Sequence, residues 1–458
     1  MNTVYGIYDR VEIAPYAMTI LQEFEIIKGA NSHDSAVIKG IISEGMLFMY
    51  ESMIGSSDCI TLTFWQEGKK QLLFSGFLDE IKIYEEGFQK RVRFKLSGLT
   101  KALDRTKKWI DYQAEDKKKS GLIQNTMLSY KNISYEDCCK DKNIPEFLLQ
   151  YEESDYEFIR RILSADGEKI YTAMEGKQGR IHFGSPQKAV TAKLAMTDYR
   201  ICFDKHLQYG IESQQFFQMG DRIDTPMGSL IVEKACHSLK KGKSENHYRL
   251  CREQDFTTDT IYNPQITGIS LDGTIKDRKR DKVKIELDMT PEAGEKDRRW
   301  FSYSSVASSN DGSGWYCMPE VGEEIRLFLP TDKERDAYVI SAIRSDSGGY
   351  ASNGEGAREP SNKSLSNVQG QEVNFTSDGV TLNCAGNVTS MSLTKDGEIN
   401  ITATEDIEIT SDKLVSFRAE QGIIIKAKDK IKMQNEAGGS LEITDHIDIN
   451  ANRIKNNC

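Results

Sequence analysis

The chain has 458 residues, more than one compact core accommodates, and length alone implies about three domains. It is 38% hydrophobic and 28% charged, with a formal net charge of −10 at pH 7, which argues against generic binding to nucleic acid or anionic membranes over the whole surface. No run of 18 apolar residues occurs, and Met1-Asn2-Thr3-Val4-Tyr5-Gly6 lacks the basic and apolar regions of a signal peptide, so the expectation is cytoplasmic synthesis without Sec export. Nine cysteines without a repeated spacing imply reduced thiols; Cys138-Cys139 are adjacent and are expected to be ordinary buried or half-buried thiols.

Residues 1–100 predict short strands at Glu12 to Ile13, Glu23 to Ile27, Met46 to Met49, Cys59 to Phe64, Gln71 to Phe77, Ile81 to Tyr84 and Arg91 to Leu96, a density that suits a barrel-like domain. A helical insertion is expected near 101–165. Leu122, Ile123 and Met127 recur at helical spacing, and the clearest helix is predicted within Asn143 to Leu163. There Ser154 with Glu157 forms a capping box, and Phe158, Ile159, Ile162 and Leu163 build an apolar face that stops at Asp166-Gly167.

The string Gln150-Tyr151-Glu152-Glu153-Ser154-Asp155-Tyr156-Glu157-Phe158-Ile159-Arg160-Arg161-Ile162-Leu163, followed by Asp166-Gly167, resembles the "QY-x-ESD-x-x-FI-x-R" segment in the hub of valine-glycine repeat (VgrG) proteins and phage tail hub proteins. The resemblance implies a hub of two related β-barrel-like subdomains per chain, so that a homotrimer offers a pseudo-sixfold ring to a hexameric tail tube protein. The second subdomain is expected at 190–255, with strands at Leu207 to Glu212, Phe216 to Arg222, Leu230 to Ala235 and Tyr248 to Cys251.

Five further strands are predicted at Gln265 to Leu271, Asp281 to Leu287, Trp300 to Ser304, Gly314 to Phe328 and Ala337 to Ile343, which suits a small OB-fold barrel. Pro319, Val321, Gly322 and Glu324 match the "P-x-V-G-x-E" turn of the same family. Asp281 departs from the family's usual Gly, and Ala337-Tyr338 from its Pro region. Residues 347–370, rich in Gly, Ser and Asn, read as a linker. It is too short to hold the lysozyme domain that some phage spikes carry between barrel and needle.

From residue 399 the apolar positions recur every eight residues. One column is Ile401, Ile409, Phe417, Ile425, Met433, Leu441 and Ile449; the other is Ile399, Ile407, Val415, Ile423, Ile431, a break at Gly439, then Ile447. Pairs at i and i+2 are the one-face signature of a strand, and a fixed period marks a stacked repeat whose units bury their faces against neighbours. An antiparallel meander competes with this reading, but meander loops vary in length and carry more turn punctuation. Since an octad offers one strand and one corner, closing a prism implies intertwined chains, most simply three.

Catalytic and ligand signals are weak. Cys236-His237 with His247 and Cys251 is the strongest metal candidate, but its spacing matches no common zinc module, so no metal and no cofactor is expected. Gly242-Lys243-Ser244 lacks the first glycine of a phosphate loop, with His at 237. No Gly-x-Ser-x-Gly elbow or His-Glu-x-x-His helix occurs, and Glu152-Glu153 and Glu323-Glu324 read as solvated faces rather than glycosidase carboxylates. Residues 264–346 hold 13 Lys+Arg against 16 Asp+Glu, the wrong balance for a strand-tracking groove.

The chain is therefore read as mainly β with a small α+β part: a hub at 1–253, an OB-fold barrel at 254–346, a linker at 347–370 and a triple-stranded intertwined β-helix needle at 371–458. The expected function is that of a non-enzymatic hub and cell-puncturing spike of a contractile injection system, in a phage tail, tailocin or type VI-like apparatus. The resemblance implies baseplate proteins and a PAAR-type tip protein as partners, with the target cell envelope met on firing. The alternatives are a tail-associated cell-wall hydrolase and an OB-fold nucleic-acid binder.

Overall fold

The structure is a computed structural model that describes residues 8, 10–46, 50, 59–114, 118–140, 142–144, 147–289, 298–304, 317–342, 362–367, 369–384 and 388–444. The chain divides into two compact units, residues 1–346 and 347–458.

In the first unit the strands follow the chain as β1 (Arg10–Ala14), β2 (Ile20–Gly29), β3 (Ser35–Ile42), β4 (Ile60–Gln66), β5 (Lys69–Glu86), β6 (Gln89–Gly98) and β7 (Lys107–Tyr112). Helix α1 (Lys119–Met127), β8 (Tyr135–Cys138), β9 (Leu148–Ser154), helix α2 (Asp155–Ser164), β10 (Ile170–Ala173) and β11 (Arg180–Gly184) form the mixed middle. Then come β12 (Val190–Lys193), β13 (Arg200–Phe203), β14 (Leu207–Glu212), β15 (Arg222–Thr225), β16 (Gly228–Lys240) and β17 (Lys243–Arg252). Phe216 to Met219, expected as a strand, precede β15 without joining a ladder; Leu47 to Met49 of another expected strand lie outside the described residues.

The two predicted subdomains share one twelve-stranded sheet, ordered β1-β4-β5-β6-β3-β2-β16-β17-β14-β13, with β12 and β15 attached beside β16. The junction is the antiparallel ladder of β2 with β16, from Lys234 opposite Gly29 to Leu239 opposite Phe24. Alternating burial along β3 and β6 is what a sheet with one covered face requires. Two separate cores result. One gathers Phe24, Phe64, Phe74 and Phe94 from the first half; the other gathers Ile223, Leu230, Val232 and Leu250 from the second.

The expected helix within Asn143 to Leu163 is half strand. Leu148 to Ser154 is β9, paired with β7, with Glu152 in the left-handed region at φ 50° where the register shifts; α2 begins only at Asp155. The apolar pairs before Ser154 follow strand alternation, and the capping box fixes where the helix starts.

A five-stranded sheet ends the unit: β18 (Ile269–Lys279), β19 (Lys282–Leu287), β20 (Trp300–Ser302), β21 (Glu324–Leu329) and β22 (Tyr338–Ala342), ordered β20-β19-β18-β21-β22. A parallel bridge of Tyr303 with Val339 brings its two ends together, so the sheet curls into a near-closed barrel. Its core of Ile275, Val283, Ile285, Leu327 and Val339 also takes in Leu149 of β9 and Phe147 just before it.

The second unit holds a five-stranded antiparallel meander, β23 (Lys363–Ser366), β24 (Glu372–Thr376), β25 (Gly379–Cys384), β26 (Thr389–Thr394) and β27 (Ile399–Ala403), then a hairpin of β28 (Ile431–Gln434) and β29 (Ser440–Ile443). Two expectations change here. Strand β23 lies inside the stretch read as linker, and the octads are not uniform, since 399–403 closes a meander and 431–443 is a hairpin.

One glycine tests the first sheet. A Cβ on Gly76 of β5 would overlap the backbone carbonyl oxygen of Ser97 on β6, so Gly76→Ala is expected to cost about 1–3 kcal/mol through overpacking. Urea unfolding of the full chain measures it.

Candidate functional site

The string at 150–163 forms a buried polar knot. Arg161 of α2 donates Nε and Nη2 to the two carboxylate oxygens of Glu153, both at 2.8 Å, and Nη2 also reaches the Leu149 carbonyl at 2.9 Å. Its Nη1 donates at 2.6 Å to Glu334, in the loop between β21 and β22 of the barrel. All three charged side chains are buried, a setting in which a bidentate guanidinium is the one cation with enough donors. Burial raises the Glu153 carboxyl above its ordinary range even beside Arg161.

The remaining positions of the string hold this geometry. Ser154 accepts from the Glu157 amide at 3.2 Å while Glu157 accepts from the Ser154 amide at 2.9 Å, so the capping box is complete. Ser154 Oγ donates to Asp104 at 2.6 Å. Gln150, fully buried, donates to Asp155 at 3.0 Å, and Asp155 accepts from Lys108 and Tyr130, each at 2.7 Å. Phe158, Ile159, Ile162 and Leu163 are buried on the opposite side, against Leu103, Ile123, Leu122 and Ile144.

At the barrel turn Gly322 has φ 96° and donates its amide to the Ile275 carbonyl at 2.9 Å. This left-handed position is the one that favours glycine. Pro319 accepts from Arg278 at 3.2 Å, Val321 is exposed, and Glu324 starts β21 opposite Thr274.

The four proposed metal ligands do not converge. Cys236 faces His247 across β16 and β17, so those two share a face; His237, the next residue, points to the other face opposite Asn246. There His237 is buried, with Nδ1 2.8 Å from Asn246 Oδ1 and aromatic contacts to Phe216 and Tyr248. His247 is exposed beside Glu245, and Cys251 lies apart in the second core. Strand alternation separates adjacent residues whatever their ligand chemistry.

Two other clusters gather donor atoms within 4.8 Å of one another: Glu136, Cys138 and His182; and His206, Glu233 and Cys251. Neither set is legible in the sequence, because each is completed by residues brought together through long-range strand pairing. The second already contains a cation, since Lys169 donates to Glu233 at 2.7 Å, with Gln208 and His206 also on that carboxylate.

In the second unit the apolar residues share one sheet face in two cross-strand rows. Leu365, Val373, Leu382, Met391 and Ile401 form one; Phe375, Val380, Leu393 and Ile399 form the other. Nothing among the described residues covers this face: Ile399 and Ile401 are 64% and 57% exposed. Residues 405–430 enter no ladder among the described residues and are exposed throughout, including Ile407, Ile409, Val415, Phe417, Ile423 and Ile425. In the hairpin Ile431 stands opposite Ile443 and Met433 opposite Leu441; Ile447 and Ile449 lie outside the described residues.

No family model matches the sequence, and no curated protein does. Solved structures share the fold. The E. coli c3393 protein, described as a component of the type VI secretion system with structural similarity to the T4 bacteriophage tail proteins gp27 and gp5, aligns at TM-score 0.54 and 11% identity, over 73% of this chain and 100% of its own. The Francisella PdpA-VgrG complex aligns at TM-score 0.56 and 10% identity, over 87% of this chain and 88% of that one. The chain thus has the mainly β fold of VgrG-like and phage tail hub proteins.

Removing Arg161 would strand two buried carboxylates, so Arg161→Ala is expected to cost about 3–5 kcal/mol, read from urea unfolding. Burial, together with nearby Lys28, lowers His237 to about 3 from an ordinary 6.5. Between those values the unfolded chain takes up a proton that the fold refuses. The neutral imidazole's contribution is therefore intact above pH 6.5 and is lost as pH falls toward 3, by up to about 1.4 kcal/mol per pH unit. Unfolding midpoints at pH 7 and pH 4 should separate less in His237→Gln than in wild type.

Proposed function

We propose that this chain is the structural hub and spike of a contractile injection apparatus of the phage-tail or type VI kind, assembled as a homotrimer. The observation that carries the reading is the uncovered apolar face of β23–β27, continued by the unpaired octads at 405–430. A soluble chain rarely leaves so many large apolar groups in water together. Each isoleucine that becomes fully buried contributes about 1.5–3 kcal/mol, and the unpaired backbone of 405–430 needs hydrogen-bond partners if that face is to be buried.

Copies of the same chain meet both demands at once. Identical octads at the same height along a threefold axis supply matching apolar faces, and each chain's backbone pairs with its neighbours', leaving no sheet edge to peel under axial load. The hub then serves as the ring that receives a hexameric tail tube and baseplate proteins, with a PAAR-type protein as the partner expected at the tip. The role is mechanical, and no reaction is assigned to the chain. Among the described residues no helix is long and apolar enough to cross a membrane.

Sedimentation equilibrium is expected to return the mass of three chains, and a monomer at micromolar concentration would defeat the proposal. Ile425→Asp places three charges around one axis, and uncompensated buried charge is strongly destabilising; it should abolish any heat- and detergent-resistant trimer band. Zymography on purified protein should show no lysis of cell wall.

A further inference from the structure

The cluster of Glu136, Cys138 and His182 is built like a ligand set. Strand β8 runs parallel to β11 with His182 opposite Glu136 and Gly184 opposite Cys138. Glu136 and Cys138, two residues apart on β8, share one face, and the facing residue of β11 presents His182 beside them. Their donor atoms lie within 4.8 Å of one another. A tetrahedral zinc-type ion with bonds of about 2.0–2.3 Å separates its ligands by roughly 3.3–3.8 Å, so a small inward movement closes the set.

The imidazole is already held in place. His182 is buried, with 3% exposure, and stacks on Tyr171 at 4.9 Å between ring centroids and 13° between planes. Its Nδ1 stands 3.8 Å from Glu136 Oε2, on the cluster side, and its Nε2 stands 3.8 Å from Glu175 Oε2. That Nε2 is buried without a hydrogen-bond partner. A carboxylate behind the far nitrogen of a histidine is the arrangement by which metal-binding histidines are oriented. Glu175 is itself fixed by Lys188 at 2.6 Å, and the chain after Cys138 is pinned by the Lys140 amide donating to Glu168 at 3.0 Å.

We infer that Glu136, Cys138 and His182 form a site for a borderline divalent cation of the zinc or cobalt class, with Glu175 as the positioning residue behind His182 and water completing the coordination. One competing contact has to yield: Arg180 donates to Glu136 at 3.0 Å, in a half-exposed pair of a kind worth little. The His206, Glu233 and Cys251 cluster is no equivalent, because the Lys169 ammonium already occupies its carboxylate.

The test is titration of the reduced full chain, freed of metal by chelation, with cobalt(II) alone. One equivalent should bring up tetrahedral d–d absorption and a thiolate-to-cobalt charge-transfer band. Cys138→Ser should lose the charge-transfer band, Cys317→Ser, altering an exposed thiol, should keep it, and Glu175→Gln should keep the spectrum but weaken affinity 10- to 100-fold. Because Glu136 is half-exposed, Glu136→Gln provides a second ligand variant that folds, and its affinity should fall at least tenfold. Absence of the band in wild type, or an equal band in Cys138→Ser, overturns the site.

Discussion

The first unit depends on one guanidinium. Arg161 ties strand β9, helix α2 and the barrel loop at Glu334 into a single buried network, with all three charged partners out of water. A buried ion pair is not by itself a strong source of stability, since desolvation offsets much of the attraction. What it provides is geometry. The guanidinium fork accepts few arrangements of its partners, so the position of the barrel loop against α2 is set by directional bonds, while Phe147 and Leu149 in the barrel core supply the apolar area.

The second unit follows the opposite rule. Its strands alternate correctly and its cross-strand rows are in register, yet the apolar side of the sheet has no cover among the described residues. In the first unit the central strands of the sheet bury their apolar residues in one of two local cores. In the second unit the pattern that makes a good strand also leaves an apolar surface uncovered among the described residues. The same alternation thus ends in closed cores in one unit and in an apolar face left uncovered among the described residues in the other.

Much of this was legible in the residues. The capping box at Ser154 and Glu157 marked a helix start that the backbone follows, although the stretch before it is strand, because Leu148, Leu149 and Tyr151 carry apolar character that fits either period over so short a run. Gly322 belonged to the expected barrel turn, and the backbone there is left-handed at φ 96°. The period of eight was visible, but it did not distinguish a corner from a hairpin: Asn435 to Gly439 close β28 onto β29, and the break at Gly439 was the available signal. The Cys236, His237, His247 and Cys251 set failed because neighbouring residues on a strand face opposite ways. The cluster around His182 was invisible because the pairing of β8 with β11 joins positions about 45 residues apart, a long-range choice that local pattern does not encode.

The ladder between β2 and β16 bears on how the twelve-stranded sheet can be divided. Two separate hydrophobic cores invite the view of two modules, each able to exist alone. Yet each half contributes an interior strand to the junction, so parting them would bare two long rows of unpaired amides and carbonyls at the middle of a sheet. Such edges recruit other chains rather than remain in water. The twelve-stranded sheet is modular in its packing but indivisible in its hydrogen bonding, and a cut between its halves would turn one continuous sheet into two adhesive ones.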